Sequence, residues 1–345
     1  MDKMLKTLTS LILFVGTPQL VHAHAGFKDQ ITEGTTKNWN AVSIGHGCAS
    51  NEGGEGVAQK DVIAISAIFP NSPNMSDVII RGSKTGATFT VGEELPIKDL
   101  SSDIVGSTAE LPLKAALNVV TANGALFPNT IPVIDGKGNV RGWQSWGDTT
   151  SSPLKGSPII ESVKKADGTS VTTTGLAPFG INAFQFKPES CAKSLKIRVA
   201  VANWCEKGSK SYKSPSRVDL WIGHTTKQFN DQVVMPNADP KAIFWTTLTV
   251  NRDLVKNPLP GTKGFDPAKI DVNNGIIDRT QAGWDTGSKD ADGKAILSNK
   301  TSCADAAYDT VYIEPSDNDI DTYVPISAAK FPAGANGALY WPTVK

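Results

Sequence analysis

Short runs of β-branched and aromatic residues, separated by Gly, Pro, Asn and Asp, recur along most of the chain. Asn38-Trp39-Asn40-Ala41-Val42-Ser43-Ile44 alternates apolar and polar positions, the period of a half-buried strand. Residues 61–70 form a nearly continuous β-branched run stopped by Pro70, which reads as a second strand. Residues 78–81, 87–91, 131–134, 141–146, 184–186, 194–201, 218–224 and 242–250 read as further strands, with a turn by composition at 71–74. Residues 95–126 are ambiguous, and 109–120 could make one short helix. Long amphipathic helices are missing from this pattern. Repeated short strands with turn signals predict an all-β sandwich. From Thr225 the texture changes, and residues from Asp253 onward are loop-rich. There is no internal repeat and no low-complexity tract.

The start of the chain has a different logic. Lys3 and Lys6 precede the apolar run Leu11-Ile12-Leu13-Phe14-Val15, which leads to Val21-His22-Ala23-His24-Ala25-Gly26-Phe27. A basic start, a short apolar run and a small-residue site describe a secretory signal peptide over residues 1–23. The run is interrupted too early by Gly16 and Pro18 to be a spanning helix. Val21 and Ala23 occupy the −3 and −1 positions of a cut that makes His24 the first mature residue. Ala23 and Ala25 equally permit a cut after Ala25, which leaves Gly26 first. An N-terminal histidine offers a free α-amine and its own Nδ1 to one metal ion, and nitrogen donors of this kind suit Cu(II).

Composition narrows the classes further. Lys and Arg total 34, Asp and Glu total 34, and the formal net charge is zero, so no electrostatic case exists for nucleic acid or an anionic membrane. No second apolar run approaches membrane length, so the exported chain is expected in the periplasm or outside the cell. The 31 Gly and 21 Pro fit a chain with many turns. Cys48, Cys191, Cys205 and Cys303 all lie in the exported part, where an oxidising compartment favours two disulfides. Cys191 and Cys205 bracket the strand at 194–201, whose rise of about 3.3 Å per residue holds its ends too far apart for a bond. Two pairings remain: Cys48–Cys205 with Cys191–Cys303, or Cys48–Cys191 with Cys205–Cys303.

Seven landmarks occur in order: the His24-Ala25-Gly26-Phe27 start, the His46-Gly47-Cys48 corner, and the strand from Val62 to Phe69-Pro70. Gly142-Trp143, Phe184-Gln185-Phe186, the Cys205-Glu206-Lys207-Gly208 corner and the closing strand from Val218 to Gly223 complete the set. Together they resemble the YcnI-like copper-binding proteins of the bacterial cell envelope, over residues 24 to about 225. The resemblance implies an immunoglobulin-like or cupredoxin-like β-sandwich at 24–225, with an insertion at about 71–132 and a loop-rich C-terminal extension, 226–345, of unknown role. It implies one Cu(II) per chain, held by the amine and imidazole of His24 for copper sequestration or delivery, with another copper-trafficking protein as a possible partner. It also implies a Cys48–Cys205 bridge, leaving Cys191 for Cys303. The family's carboxylate and neighbouring tryptophan have no aligned counterpart; Glu33, Glu52, Glu55 and Glu93, and Trp39, Trp143, Trp146 and Trp204, are the candidates.

The other histidines carry two readings each. His46 is either a hydrogen-bonded corner residue or a second metal ligand that completes a two-histidine brace with His24. His224, at the end of a strand, reads as a satisfied surface histidine. A two-histidine brace also resembles that of the lytic polysaccharide monooxygenases, for which exposed Trp39, Trp143, Trp146, Tyr340 and Trp341 would suit sugar; core packing is the plainer role of tryptophan. A metal-free surface or structural β protein is the third class, and its mature chain would start at Gly26. Residues 289–294 carry only part of a calcium loop and read as a turn; Asp317-Asn318-Asp319-Ile320-Asp321 reads as a solvated loop. No nucleophile elbow, phosphate loop or His-Glu-x-x-His motif occurs, so a non-enzymatic role is favoured.

Overall fold

The computed structural model describes residues 25–34, 36, 38–44, 62, 64–70, 78–97, 117–118, 129–138, 140–146, 162–164, 166, 170–172, 175–181, 183–186, 190–204, 218–227, 229, 245–260, 262, 285–289, 295–297, 303, 306 and 308–325. In chain order the strands are β1 Gly26–Phe27, β2 Ile31–Thr32, β3 Asn38–Ile44, β4 Ala64–Ile68, β5 Val78–Ser83 and β6 Leu95–Pro96. Next come β7 Leu117–Asn118, β8 Asn129–Ile134, β9 Val140–Trp146, β10 Ser162–Lys164, β11 Ser170–Thr172 and β12 Gly175–Ile181. Then follow β13 Ser194–Trp204, β14 Val218–Trp221, β15 Thr246–Asn251, β16 Asp285–Lys289, β17 Ala295–Leu297 and β18 Thr310–Pro315. One helix, Asp317–Tyr323, occurs among the described residues, and none is long and apolar enough to cross a membrane.

The fold is an all-β sandwich. A four-stranded sheet, β1-β3-β12-β7, faces a main sheet ordered β6-β5-β18-β13-β4-β9-β8, with β14 and β15 also on β13 and β2 on β15. Val42, Ile44, Ala177, Phe179 and Ile181 of the smaller sheet share one buried core with Ile65, Ala67, Leu195, Ile197, Val199, Val201, Leu248, Val250, Val311 and Ile313 of the larger. The opposite face of β4 and β13 is also covered: Ala64, Ile68, Ala200, Ala202 and Trp204 pack with Ile320 and Val324 at the helix. Burial on both faces explains why residues 61–70 read as continuous apolar sequence and not as alternation.

β13 is the hub. Its first half pairs with β15 antiparallel and β18 parallel; its second half pairs with β4 and β14, both antiparallel. Two of those partners, β15 and β18, come from beyond residue 225, and β5, which pairs with β18, comes from the expected insertion at 71–132. The 225 boundary therefore runs through one sheet. β13 has two edges along its full length, and buried backbone N–H and C=O groups there must be paired.

Four local expectations change. Residues 184–186 form no strand: the Phe184 carbonyl accepts from the Gly34 N–H, the Phe186 N–H donates to Glu33 Oε2, and both phenylalanines are buried. Residues 87–91 are not a strand but part of the β5–β6 connection, whose turns use Gly86 and Gly92 at φ 84° and 93°. Leu117–Asn118, within the stretch that could make a helix, is strand β7 paired with β12, and residues 109–116 lie outside the described residues. The acidic run at 317–321 is helical: Ser316 caps it by accepting from the Asp319 N–H, Asp317 and Asp319 sit in its first turn, and Ile320 is buried. Asp319 also binds Arg141 at 3.1 Å, a buried pair. Residues 290–294 connect the hairpin strands β16 and β17 and lie outside the described residues.

Gly142, of the Gly-Trp pair, has a packing reason. A Cβ there would stand 2.0 Å from the Ala67 carbonyl oxygen on the neighbouring strand. We expect Gly142→Ala to force β9 away from β4 and to cost about 1–3 kcal/mol in urea unfolding, as overpacked cores do. An unchanged midpoint would show that the two strands can separate locally.

Candidate metal centre at the chain start

His24 and His46 lie outside the described residues, as do Cys48, Cys205, Glu52 and Glu55. The described chain begins at Ala25, which is buried, 7% exposed, and whose carbonyl accepts a 3.1 Å hydrogen bond from Thr246 Oγ1. Gly26 and Phe27 then pair antiparallel with Ser43 and Val42 on β3. The Phe27 ring meets the Phe179 ring edge-on at 5.6 Å and tilts against Phe69 at 6.3 Å. The chain is thus anchored from its first described residue by a hydrogen bond, a strand pairing and an aromatic cluster.

Of the candidate carboxylates, Glu33 is committed to the loops. Its Oε1 accepts from the Asp253 N–H, and its Oε2 accepts from the Phe186 N–H and from Asn257 Nδ2. A carboxylate with both oxygens engaged this way positions backbone and is a poor metal ligand. Glu93 is exposed on the β5–β6 connection of the main sheet.

The tryptophans divide similarly. Trp143 and Trp204 are each 1% exposed, and Trp204 Nε1 donates to Ser66 Oγ. Trp39 is 63% exposed, at the end of β3 opposite to Ile44 and roughly 17 Å from it along the strand. Trp146 lies on β9, its side chain outside the described residues.

Sequence reasoning gave no role to Trp245, yet it directly precedes Thr246, which holds Ala25. Trp245 packs over Gly223, where a Cβ would stand 1.9 Å from Trp245 Nε1 and where φ is 69°. The one available signal was Gly223-His224 after an aromatic strand. His224 is satisfied: its Nε2 lies 2.7 Å from Asp317 Oδ1 and its ring meets Trp245 edge-on at 5.4 Å. Among the described residues, no group of three or more His, Cys, Asp or Glu side chains is placed to hold a metal ion.

Cys191 and Cys303 form a disulfide with a Cα separation of 5.4 Å, bridging 112 residues. This is incompatible with the Cys48–Cys191 alternative. Nearby, Arg252 is buried, and its guanidinium donates to the carbonyls of Ser190, Ala192, Asn257 and Pro258 and to Asn257 Oδ1. It ties the loop before β13 to the loop after β15. Comparison of the chain with family models, curated proteins and solved structures found no match.

Proposed function

We propose that the protein is exported and holds one Cu(II) per chain at its mature N-terminus, through the α-amine and Nδ1 of His24 with His46 as second imidazole. The role is sequestration or delivery of copper, as in the YcnI-like proteins its landmarks resemble. The observation that carries this reading is Ala25. A cut after Ala25 removes a buried residue and the carbonyl that Thr246 binds, whereas a cut after Ala23 keeps both and leaves a single residue, His24, ahead of the fold. β1 and β3 are antiparallel, so the chain entering β1 and the chain leaving β3 are at the same end of the pair. His24 precedes Ala25 by one residue, and His46 follows Ile44 by two. Imidazole and amine nitrogens around one ion favour Cu(II) in tetragonal geometry. Cys48 and Cys205 are the proposed second disulfide.

Delivery is preferred to polysaccharide oxidation because, of the candidate sugar-binding tryptophans, Trp39 stands at the far end of β3 and Trp143 is core. The copper-loaded protein with reductant and chitin or cellulose is expected to yield no oxidised oligosaccharides.

The deciding experiment is N-terminal sequencing of the exported protein, followed by Cu(II) titration with EPR. His24 as first residue and saturation near one equivalent are expected. One residue added ahead of His24 turns the amine into an amide and should weaken binding roughly a hundredfold or more, the loss expected when one of several linked contacts is removed. His46→Ala separates the two-histidine brace from a single-histidine site, and His224→Ala should do little. Equal affinity of the extended chain would end the copper reading.

A further inference from the structure

The β5–β6 connection leaves β5 at Ser83 and returns to pair with it at Leu95, and its Glu94 side chain meets Arg198 of β13. Its base is fixed: Lys84 Nζ donates to the carbonyls of Cys303 and Ala306, and Asp309 Oδ1 accepts from Thr85 N–H and Oγ1. Beyond the Gly86 turn, residues 87–93 are exposed or half-buried, and Val91 faces solvent at 44%. Glu94, 5% exposed, is the one buried side chain of 84–94. Its Oε1 pairs with Arg198 Nη2, and its Oε2 accepts from the Gly92 N–H at 2.8 Å. The end of the strap nearest β6 is therefore held by polar contacts, Glu94 on Arg198 and the Gly92 carbonyl accepting from Arg81 Nη1 at 3.0 Å, with Phe89 half-buried.

The surface beneath is already built without the strap. Arg198 is oriented by Glu314 Oε2, 2.7 Å from Nη1, and lies 4.3 Å over the Tyr312 ring. Lys196 Nζ is 5.4 Å from the same ring centroid, and Arg81 Nε binds the other Glu314 oxygen at 3.0 Å. Thr247 and Thr249, half-buried, stand beside Arg198 and Lys196 on β15. Arg81 and Arg198 thus share the carboxylate of Glu314, Lys196 beside Tyr312 adds a third positive charge on this face, and Glu94 of the strap supplies a second negative one.

We propose that residues 86–94 are an autoinhibitory strap whose Glu94 carboxylate fills an anion-recognition site on the outer face of the main sheet, and that a carboxylate-bearing ligand displaces it onto Arg198. Arg198 stays oriented when Glu94 leaves, because Glu314 and Tyr312 hold it from the sheet. The charged and titratable groups facing Glu94 are Arg198, Arg81, Glu314, Lys196, Tyr312 and its neighbour Glu93. Burial works to raise the Glu94 pKa, but the Arg198 hydrogen bond and charge outweigh it and the net shift is downward. The pairing is therefore complete above the usual carboxylate range and is lost as pH falls through the lowered value, so acid opens the strap.

Hydrogen exchange of the full-length protein, followed by mass spectrometry, tests this, with acetate as probe and chloride at matched ionic strength as control. We expect the amides of Ala87, Gly92 and Glu93 to exchange faster in Glu94→Gln than in the unaltered protein at neutral pH, while β13 stays protected. Acetate, and not chloride, should speed strap exchange in the unaltered protein and raise the melting temperature of Glu94→Ala. Strap exchange unchanged by Glu94→Gln overturns the latch. Acetate acting no differently from chloride on both proteins overturns the recognition site. If Glu94→Ala fails to fold, the size-conserving Glu94→Gln carries the acetate arm by the same exchange readout.

Discussion

Replacing Cys191 and Cys303 together by serine should lower stability by about 4–5 kcal/mol, the chain-entropy value for closing a loop of roughly a hundred residues. The bridge joins positions 112 residues apart. Cys191 stands three residues before β13 and Cys303 seven before β18, and these strands begin in parallel register with Ser194 opposite Thr310. A parallel pair has no short turn to set its register, so the covalent link near the two strand entrances does that work. Lys193 reinforces the corner by pairing with Asp309 at 3.0 Å, and Arg252 binds the carbonyls on both sides of Cys191. The measurement is urea unfolding of the oxidised protein against the double serine variant. A midpoint within error of the parent would mean that strand pairing alone holds β13 on β18. A proportionate loss would identify the bridge as the clamp that fastens residues beyond 225 to the sandwich.

Glu314→Ala should cost about 3–5 kcal/mol, the range for removing one partner from a buried ion pair. Glu314 is 2% exposed and binds two guanidiniums, Arg81 through Oε1 and Arg198 through Oε2. Without it, Arg198 keeps Glu94 alone, and Arg81 keeps the Gly92 carbonyl. Most of the loss is the cost of leaving buried positive charge undercompensated, not the intrinsic strength of the two contacts. That distinction is measurable. A triple change of Glu94, Arg198 and Glu314 to methionine, which removes the buried charges together, should lose much less than Glu314→Ala, because apolar replacement of a whole buried ionic group is often neutral. Equal losses would place the cost in packing against Tyr312 instead.

Eight strands, β3, β4, β5, β8, β9, β13, β14 and β15, were legible because period and residue type are local; β12 and β18, inside the two sheets, were not read. Val42, Ser43 and Ile44 alternate in burial as in residue type, although β3 buries Asn40 and exposes Trp39, and 62–70 are apolar but for Ser66 because β4 has no solvent face. Two readings failed where local preference met a distant contact. Residues 87–91 have strand composition, but Glu94 is drawn to Arg198 and the segment becomes a connection. The acidic run at 317–321 reads as loop by charge, yet Arg141, His224 and Thr226 take up Asp319, Asp317 and Asp321, and Ile320 with Val324 give the helix an apolar side. Glu33 looked available as a ligand because nothing near it in sequence could occupy it; its partners are Phe186, Asp253 and Asn257.

By itself the sequence determined the β class, the positions of β3, β4, β5, β8, β9, β13, β14 and β15, and the histidine directly before Ala25. These depend on alternation, β-branching and backbone freedom, which neighbouring residues set. The tertiary structure alone decided that β5, β15 and β18 belong to one sheet with β13, that Cys191 meets Cys303, and that Thr246 anchors Ala25. Each of these joins positions more than a hundred residues apart or unites segments on either side of residue 225. No local period encodes a partner; only the requirement that a buried strand pair both its edges, and a buried charge find its counter-charge, selects it.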